Sequence, residues 1–142
     1  MPDLMRIMAK SHWLVKQEPE TYPWSQFVAD KKTNWTGVRN FQARNNLRGM
    51  KAGDPVLYYH SGGGKEVAGI AKVTRESFPD PTADEGDWSA VELTPVKPFK
   101  RPVPLAEIKA NPALAQVALV RQSRLSVMPL SKADFDAIVA MQ

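Results

Sequence analysis

The order of strand-like and helix-like segments limits the folds open to this chain more than any other feature of its sequence. Residues 56–61 and 67–73 are strand-like runs joined by a Gly-rich tip at 61–65, which is the pattern of a β-hairpin. Because no strand–helix–strand unit repeats, we expect an α+β fold, best described as a small closed or nearly closed barrel of about five strands with flanking helices. Strands are predicted at 12–16, 56–61, 67–73, 88–96 and 119–128, and helices at 21–29, 39–50, 104–110 and 131–141.

Length and composition indicate one intracellular domain. The chain has 142 residues, 43% of them hydrophobic and 24% charged, and we expect a single domain over residues 11–142 after a loose leader at 1–10. The absence of cysteine excludes disulfides, thiol catalysis and thiolate metal sites. Because no apolar run could cross a bilayer and no signal peptide is recognisable, we expect no membrane partner and a cytoplasmic location, or a nuclear one in a eukaryote.

Charge is unevenly distributed along the chain. The net charge is +4, with four basic residues and no acid from Arg39 to Lys51, and six acids and no base from Glu76 to Glu92. Such a distribution favours an anionic partner on one side of the molecule and repels it on the other. A solvated helix face and an exposed acidic loop explain the same charges equally well.

The sequence does not assemble a catalytic set. Gly64-Lys65 resembles the end of a phosphate-binding loop, but Glu66 replaces its Ser or Thr and Tyr59 replaces its first glycine. His60 and Ser61 are neighbours on a predicted strand, so their side chains should face opposite ways. We therefore expect no catalytic residue, no cofactor and no metal.

Trp35 is the best candidate for a residue that contacts a ligand. It lies in a predicted turn between Asn34 and Thr36, just before the basic helix, and a nucleic-acid base can stack on an indole ring. Arg39 and Asn40 follow at the start of that helix, where free N–H groups suit a phosphate or a base carbonyl. Asn40 can read a base edge, since its amide donates and accepts, or it can simply cap the helix.

Several motifs in the same order resemble those of the EVE domain, and the resemblance covers nearly the whole chain from Ser11. It implies a PUA-like β-barrel of five to six strands with flanking helices, related to the YTH readers of methylated RNA. The matching residues are 13–19 (WLVKQEP), 35–45 (WTGVRNFQARN), 58–61 (YYHS), Gly69, 78–80 (FPD), Trp88 and 125–130 (LSVMPL).

The resemblance also implies a pocket that holds a modified base of DNA or RNA. Gln17 departs from the serine usual in the family, and the stretch between Asp80 and Trp88 is shorter than in eukaryotic members, which puts a rim contact there in doubt. Carried over by motif, with Trp24 as an additional wall, the pocket residues are Lys16, Glu18, Trp24, Trp35, Val38, Arg39, Asn40, His60 and Ser61.

We therefore predict a nucleic-acid-binding reader and not an enzyme. A splayed-out base would lie against Trp35, while Asn40, Ser61 and Glu18 read its polar edge. Phosphates would be bound by basic residues of the predicted helix, in addition to Arg39, and this gives a salt-dependent background that is independent of sequence. These phosphate-binding residues are Arg44, Arg48 and Lys51.

Two alternatives remain open at this stage. The same pocket could bind a small molecule or a nucleotide. It could also belong to an enzyme that uses Glu18 and His60 for proton transfer.

Overall fold

The structure, a computed structural model, describes residues 11–62 and 64–142, so the expected leader at 1–10 lies outside the described residues. The α+β class is confirmed, with six strands and five α-helices in the described ranges. A short 3-10 helix (Pro112–Leu114) precedes the fourth α-helix. The strands are β1 (His12–Gln17), β2 (Thr33–Trp35), β3 (Pro55–His60), β4 (Glu66–Pro79), β5 (Ser89–Pro104) and β6 (Val127–Leu130). The helices are α1 (Trp24–Asp30), α2 (Phe41–Gly49), α3 (Leu105–Ala110), α4 (Ala118–Arg121) and α5 (Lys132–Ala140).

All six strands join one mixed sheet in the order β2-β5-β4-β3-β1-β6. β1 runs parallel to β3, and the other neighbouring strands pair in antiparallel fashion. The long ladder between β4 and β5 contains four register shifts, irregularities that bend strands and increase their twist. β2 and β6 lie at the two edges, so the sheet is open where the sequence predicts a closed or nearly closed barrel.

Four segments differ from the sequence prediction. β4 continues to Pro79 and β5 to Pro104, where the sequence predicted that they end at residues 73 and 96. Residues 119–128 are not one strand, because α4 ends at Arg121 and β6 begins only at Val127. The polar run 121–124 interrupts the apolar pattern there, and short apolar runs do not distinguish a strand from a buried helical turn. Residues 33–35 form β2 by pairing with residues 91–93 of β5, where the sequence predicted a turn at Trp35. This pairing joins distant parts of the chain, so a local sequence pattern cannot predict it.

The helix at the C-terminal end forms where local signals predict it. The Oγ atom of Ser131 accepts a hydrogen bond from the backbone N–H of Asp134 (3.0 Å), which caps α5. Phe135 and Ile138 are buried on the face that packs towards the sheet. In the described part of the chain, no helix combines the length and the apolar character that a membrane span requires.

An aromatic cluster surrounds Tyr58 of β3. The ring of Tyr58 stacks on Phe27, with centroids 5.3 Å apart and planes at 20°. It also meets Trp24, Trp35 and His60 edge-on, at centroid distances of 5.4, 5.6 and 5.6 Å. The cluster thus joins α1 and β2 to β3, and it brings together three residues that the sequence places in the pocket.

Gly69 makes this packing possible, because it lies opposite Tyr58 in the β3–β4 ladder and beneath the indole of Trp24. A Cβ atom at residue 69 would approach two carbons of that indole to 2.6 Å.

We expect Gly69→Ala to lower the free energy of unfolding by about 1–3 kcal/mol through overpacking, measured by urea denaturation. In a Trp24→Leu background the same substitution should cost clearly less, and an equal cost in both backgrounds would contradict this explanation.

Candidate nucleic-acid interface

Trp35 ends β2, and it is nearly buried although it lines a cleft. The residue is 5% exposed and packs edge-on against Tyr58. With so little of the indole accessible, a base in the cleft can touch only part of the ring unless neighbouring side chains move. The contact between Trp35 and a base therefore stays a prediction. The cleft has a volume of about 200 Å³, and its other lining residues are Gln17, Thr21, Tyr22, Thr33, Asn34 and Thr36.

Asn40 caps a helix and lines a different cleft. Its Oδ1 atom accepts a hydrogen bond from the backbone N–H of Ala43 (2.9 Å) and so caps α2. Because the cap uses the oxygen, the NH2 group is what Asn40 can offer to a ligand. This cleft has a volume of about 330 Å³, and its other lining residues are Gln42, Arg121, Gln122, Ser123, Arg124 and Leu125.

Lys16 and Ser61 lie in a third cleft, of about 220 Å³, which also includes Tyr59, Lys65 and Lys109. The Nζ atom of Lys16 donates to the backbone oxygen of Ser123 (2.9 Å), and burial lowers the pKa of Lys16. Four of the nine predicted pocket residues therefore line three separate clefts instead of one cavity, and the other five line none of the three. Ser123 belongs to both this cleft and the Asn40 cleft.

His60 ends β3 and anchors the start of α1. Its Nε2 atom accepts a hydrogen bond from the backbone N–H of Trp24 (3.0 Å), which requires that nitrogen to be unprotonated. Burial lowers the pKa of His60, outweighing the opposite effect of the nearby Glu66 carboxylate. The hydrogen bond and the burial both favour the neutral form of the histidine.

Glu18 and Val38 occupy contrasting positions. Glu18 is exposed, and its backbone oxygen accepts hydrogen bonds from the N–H groups of Thr21 and Tyr22, so it forms part of a turn. Val38 is buried in the hydrophobic core at 7% exposure.

Among the described residues, no three His, Asp or Glu side chains gather as a metal site would require.

Arg39 pairs with a buried carboxylate. The side chain of Asp80 is 0% exposed and lies 2.9 Å from Nη1 of Arg39. Asp80 also accepts hydrogen bonds from the N–H of Gly37 (2.8 Å) and from the N–H and hydroxyl of Thr82 (2.7 Å each). Burial alone would raise the pKa of Asp80, but the hydrogen bonds from Thr82, Arg39 and the backbone outweigh it and lower the pKa. Asp80 thus fixes the chain before α2 to the loop after β4.

The acidic loop between β4 and β5 packs against the basic helix α2. The charge distribution in the sequence had suggested that the basic and acidic segments lie on different sides of the molecule. Arg48 pairs with the carboxylate of Asp87 (2.7 Å) and donates to the hydroxyl of Ser89 (2.9 Å). Arg44 donates to the backbone oxygen of Asp87 and to Oδ1 of Asn45, both neutral acceptors. Lys51 is exposed just after the helix. Phosphate binding by Arg44, Arg48 and Lys51 stays a prediction.

Comparison with known proteins assigns the chain to a family. Residues 11–141 match the model of the EVE domain. The chain belongs to the EVE domain family. Human thymocyte nuclear protein 1 is 34% identical to it, in an alignment that covers 93% of this chain and 74% of the human protein.

Solved structures share this fold. Protein Atu2648 from Agrobacterium tumefaciens is 41% identical, with a TM-score of 0.89 and 92% of each chain covered. The human THYN1 protein in complex with DNA containing 5-methylcytosine is 34% identical, with a TM-score of 0.83 and coverage of 93% of this chain and 97% of that one. The ZmASCH protein of Zymomonas mobilis, 15% identical with a TM-score of 0.59, shares the fold only.

The sequence did not identify two cations of this EVE domain that line the Asn40 cleft. Arg121 and Arg124 lie in the segment predicted as a strand, where alternating sides would have separated them from each other. The available signal was the polar run at 121–124, which breaks the apolar pattern on both sides. Gln17 lines the Trp35 cleft and carries no charge.

The state of His60 can be tested through pH. Because burial lowers its pKa in the folded chain below the ordinary value of 6.5, the unfolded chain binds the proton more readily. The free energy of unfolding should therefore fall as the pH drops from 6.5 towards the folded pKa. In urea denaturation at pH 7.5 and 5.5, His60→Gln should lose less stability between the two conditions than the wild type. Identical pH dependence in the wild type and His60→Gln would contradict this account.

The buried carboxylate can be tested with a pair of matched variants. Asp80→Asn removes the charge that Arg39 faces and turns one acceptor oxygen into a donor, so we expect it to lower the free energy of unfolding by about 3 kcal/mol. Asp84→Asn makes the same change at an exposed position of the same loop and should stay within about 0.5 kcal/mol of the wild type. Equal stability of the two variants would remove the structural role assigned to Asp80.

Proposed function

We propose that this protein is a reader that binds nucleic acid carrying a modified base, with DNA containing 5-methylcytosine as the first candidate. The observation that carries this proposal is the likeness, along nearly the whole chain, to the human THYN1 protein, whose structure contains DNA with 5-methylcytosine. The proposal places the protein where nucleic acid occurs, in the cytoplasm or, in a eukaryote, the nucleus.

The Asn40 cleft has the chemistry that such a ligand needs. Amide groups of Asn40, Gln42 and Gln122 supply donors and acceptors suited to a base edge. Arg121 and Arg124 supply guanidinium groups suited to phosphate, and neither takes part in an ion pair among the described residues. We infer that the base is held at this cleft, close to the cations that bind its backbone.

Glu18 and His60, the two residues that an enzyme using this pocket would need for proton transfer, are poorly placed for catalysis. The acceptor nitrogen of His60 is used by the backbone of Trp24, and Glu18 lies in an exposed turn. A histidine that must first break a structural hydrogen bond is poorly placed to act as a general base and accept a proton from a substrate. A free nucleotide remains the second candidate ligand, because the same cleft chemistry would recognise it.

The proposal can be tested by fluorescence anisotropy with two duplexes that differ only by one 5-methylcytosine. We expect the methylated duplex to bind about tenfold more tightly, since one buried methyl group discriminates by roughly 10- to 200-fold, and both affinities should fall with added salt. RNA of the same sequence and free 5-methylcytidine monophosphate complete the titration. Equal affinity for the two duplexes would contradict the proposal.

Asn40→Asp isolates the cleft without removing the helix cap, because aspartate also caps helices well. This variant keeps an acceptor for the N–H of Ala43 but loses the NH2 donor, so the preference for methylated DNA should decrease several-fold. Asn45→Asp adds the same charge to an exposed residue of the same helix. Because residue 45 contacts Arg44, this variant is a control for the preference between the two duplexes and not for the overall affinity. If both variants lose the preference equally, charge and not the Asn40 amide explains the loss.

A further inference from the structure

Phe41 is exposed where an aromatic side chain has no structural need to be. It is the first residue of α2 and is 66% exposed, more than Val96 (54%) or Val28 (46%). The same helix buries Ala43 and Leu47 on another face, so Phe41 contributes little to the core. An aromatic ring exposed to water does not gain the favourable free energy of burial. Its exposure therefore favours a contact with a binding partner.

The exposed ring is held in a fixed orientation. Phe41 stacks on Trp88 with centroids 5.2 Å apart and planes at 16°. Trp88 follows the acidic loop, and a Cβ atom at Gly86 would come within 2.7 Å of its Nε1 atom, so the loop is tightly packed against the indole. A platform that is already ordered loses little side-chain entropy when a ligand stacks on it.

Two arginine side chains lie against this aromatic pair, and one of them, Arg39, is paired with Asp80. The guanidinium of Arg44 lies 5.0 Å from the ring centroid of Phe41 and 5.8 Å from that of Trp88, and that of Arg39 lies 5.6 Å from Trp88. Arg44 donates its hydrogen bonds to neutral oxygens of Asn45 and Asp87, so those contacts leave its charge uncompensated. An aromatic ring beside an arginine matches a ligand that combines a flat base with a phosphate.

The pair also lies beside the Asn40 cleft. Asn40 and Gln42, the two chain neighbours of Phe41, both line that cleft together with Arg121 and Arg124. A strand whose modified base occupies the cleft would therefore bring an adjacent nucleotide to the rim at Phe41.

We propose that Phe41, supported by Trp88, is a stacking platform for the base next to the one held in the Asn40 cleft. The inference rests on the proposed function and adds to it a second contact, one that accepts any base because every base has a π-face. It also commits the ligand to a strand of at least two nucleotides, since a free mononucleotide cannot occupy the cleft and the platform together.

The test measures affinity for a methylated and an unmodified oligonucleotide, single-stranded and duplex, with wild type and three variants. Phe41→Ala should weaken binding to both oligonucleotides by the same factor, about 5- to 150-fold, which is the range for one lost base–aromatic stack. The preference for the methylated oligonucleotide should not change. Phe41→Trp should retain the wild-type affinity, and Val28→Ala, a truncation at an exposed hydrophobic residue of α1, should leave it unchanged.

A spectroscopic readout separates stacking from a purely structural role. With 2-aminopurine placed next to the modified base, binding of the wild type should quench its fluorescence and Phe41→Ala should not. Phe41→Leu preserves an apolar contact for Trp88 but offers no aromatic face, so it should resemble Phe41→Ala in quenching while melting like the wild type.

The outcomes of the two proposals can be told apart. If Phe41→Ala binds within twofold of the wild type while the preference for methylated DNA persists, the platform is wrong and the proposed function stands. If no oligonucleotide is preferred but Phe41→Ala still weakens binding and abolishes quenching, the platform stands and the modified-base proposal fails. Absence of binding to every oligonucleotide overturns both.

Discussion

The buried ring of Tyr58 is the contact on which the geometry around the candidate site depends. Its hydroxyl donates to the backbone oxygen of Tyr22, and its ring touches those of Trp24, Trp35 and His60. Because protein interiors are densely packed, these neighbours cannot shift independently. One side chain of β3 thereby sets the positions of α1, of β2 and of the cleft that β2 lines.

The distribution of charge follows from a second constraint, the folding of the acidic loop onto the basic helix. Asp80 and Asp87 pair with Arg39 and Arg48, which removes much of the net charge that the helix would otherwise present. The surface left for an anion is therefore narrower than the sequence suggests. Near α2 it consists of Arg44 beside the aromatic pair, Lys51 just after the helix, and Arg121 and Arg124 in the Asn40 cleft. A separate cleft contains Lys16, Lys65 and Lys109.

The sequence predicted those parts of the fold that depend on local signals. Ser131 marked the start of α5, and Asn40 offered capping as one of its two explanations, because caps are made by residues three or four positions apart. The strand at Thr33–Trp35 and the ion pair of Arg39 with Asp80 could not be predicted, since each joins segments far apart in sequence. The order of strand-like and helix-like segments predicted the α+β class, and the resemblance to the EVE domain implied a PUA-like fold of five to six strands.

The candidate site was predicted less completely than the fold. Motif matching selected Trp35, Asn40 and Ser61, but it could not show that they line three separate clefts. Phe41 lies within a matched motif, yet only its exposure and its stacking on Trp88 distinguish it from its neighbours. The helical period predicts that Phe41 lies off the apolar face of α2, but it cannot predict the stacking on Trp88, because that contact depends on which loop packs beside the helix.

The central claim, that a modified base is held at the Asn40 cleft, is tested most directly by mapping amide and indole NMR shifts while methylated DNA is added. The account predicts that the amides of Asn40, Gln42 and residues 121–125 shift, and that they shift less with the unmodified duplex. The indole N–H of Trp13, which donates to the buried carboxylate of Asp54, should stay in place as an internal reference. Identical shifts with both duplexes, or shifts confined to regions away from this cleft, would contradict the account.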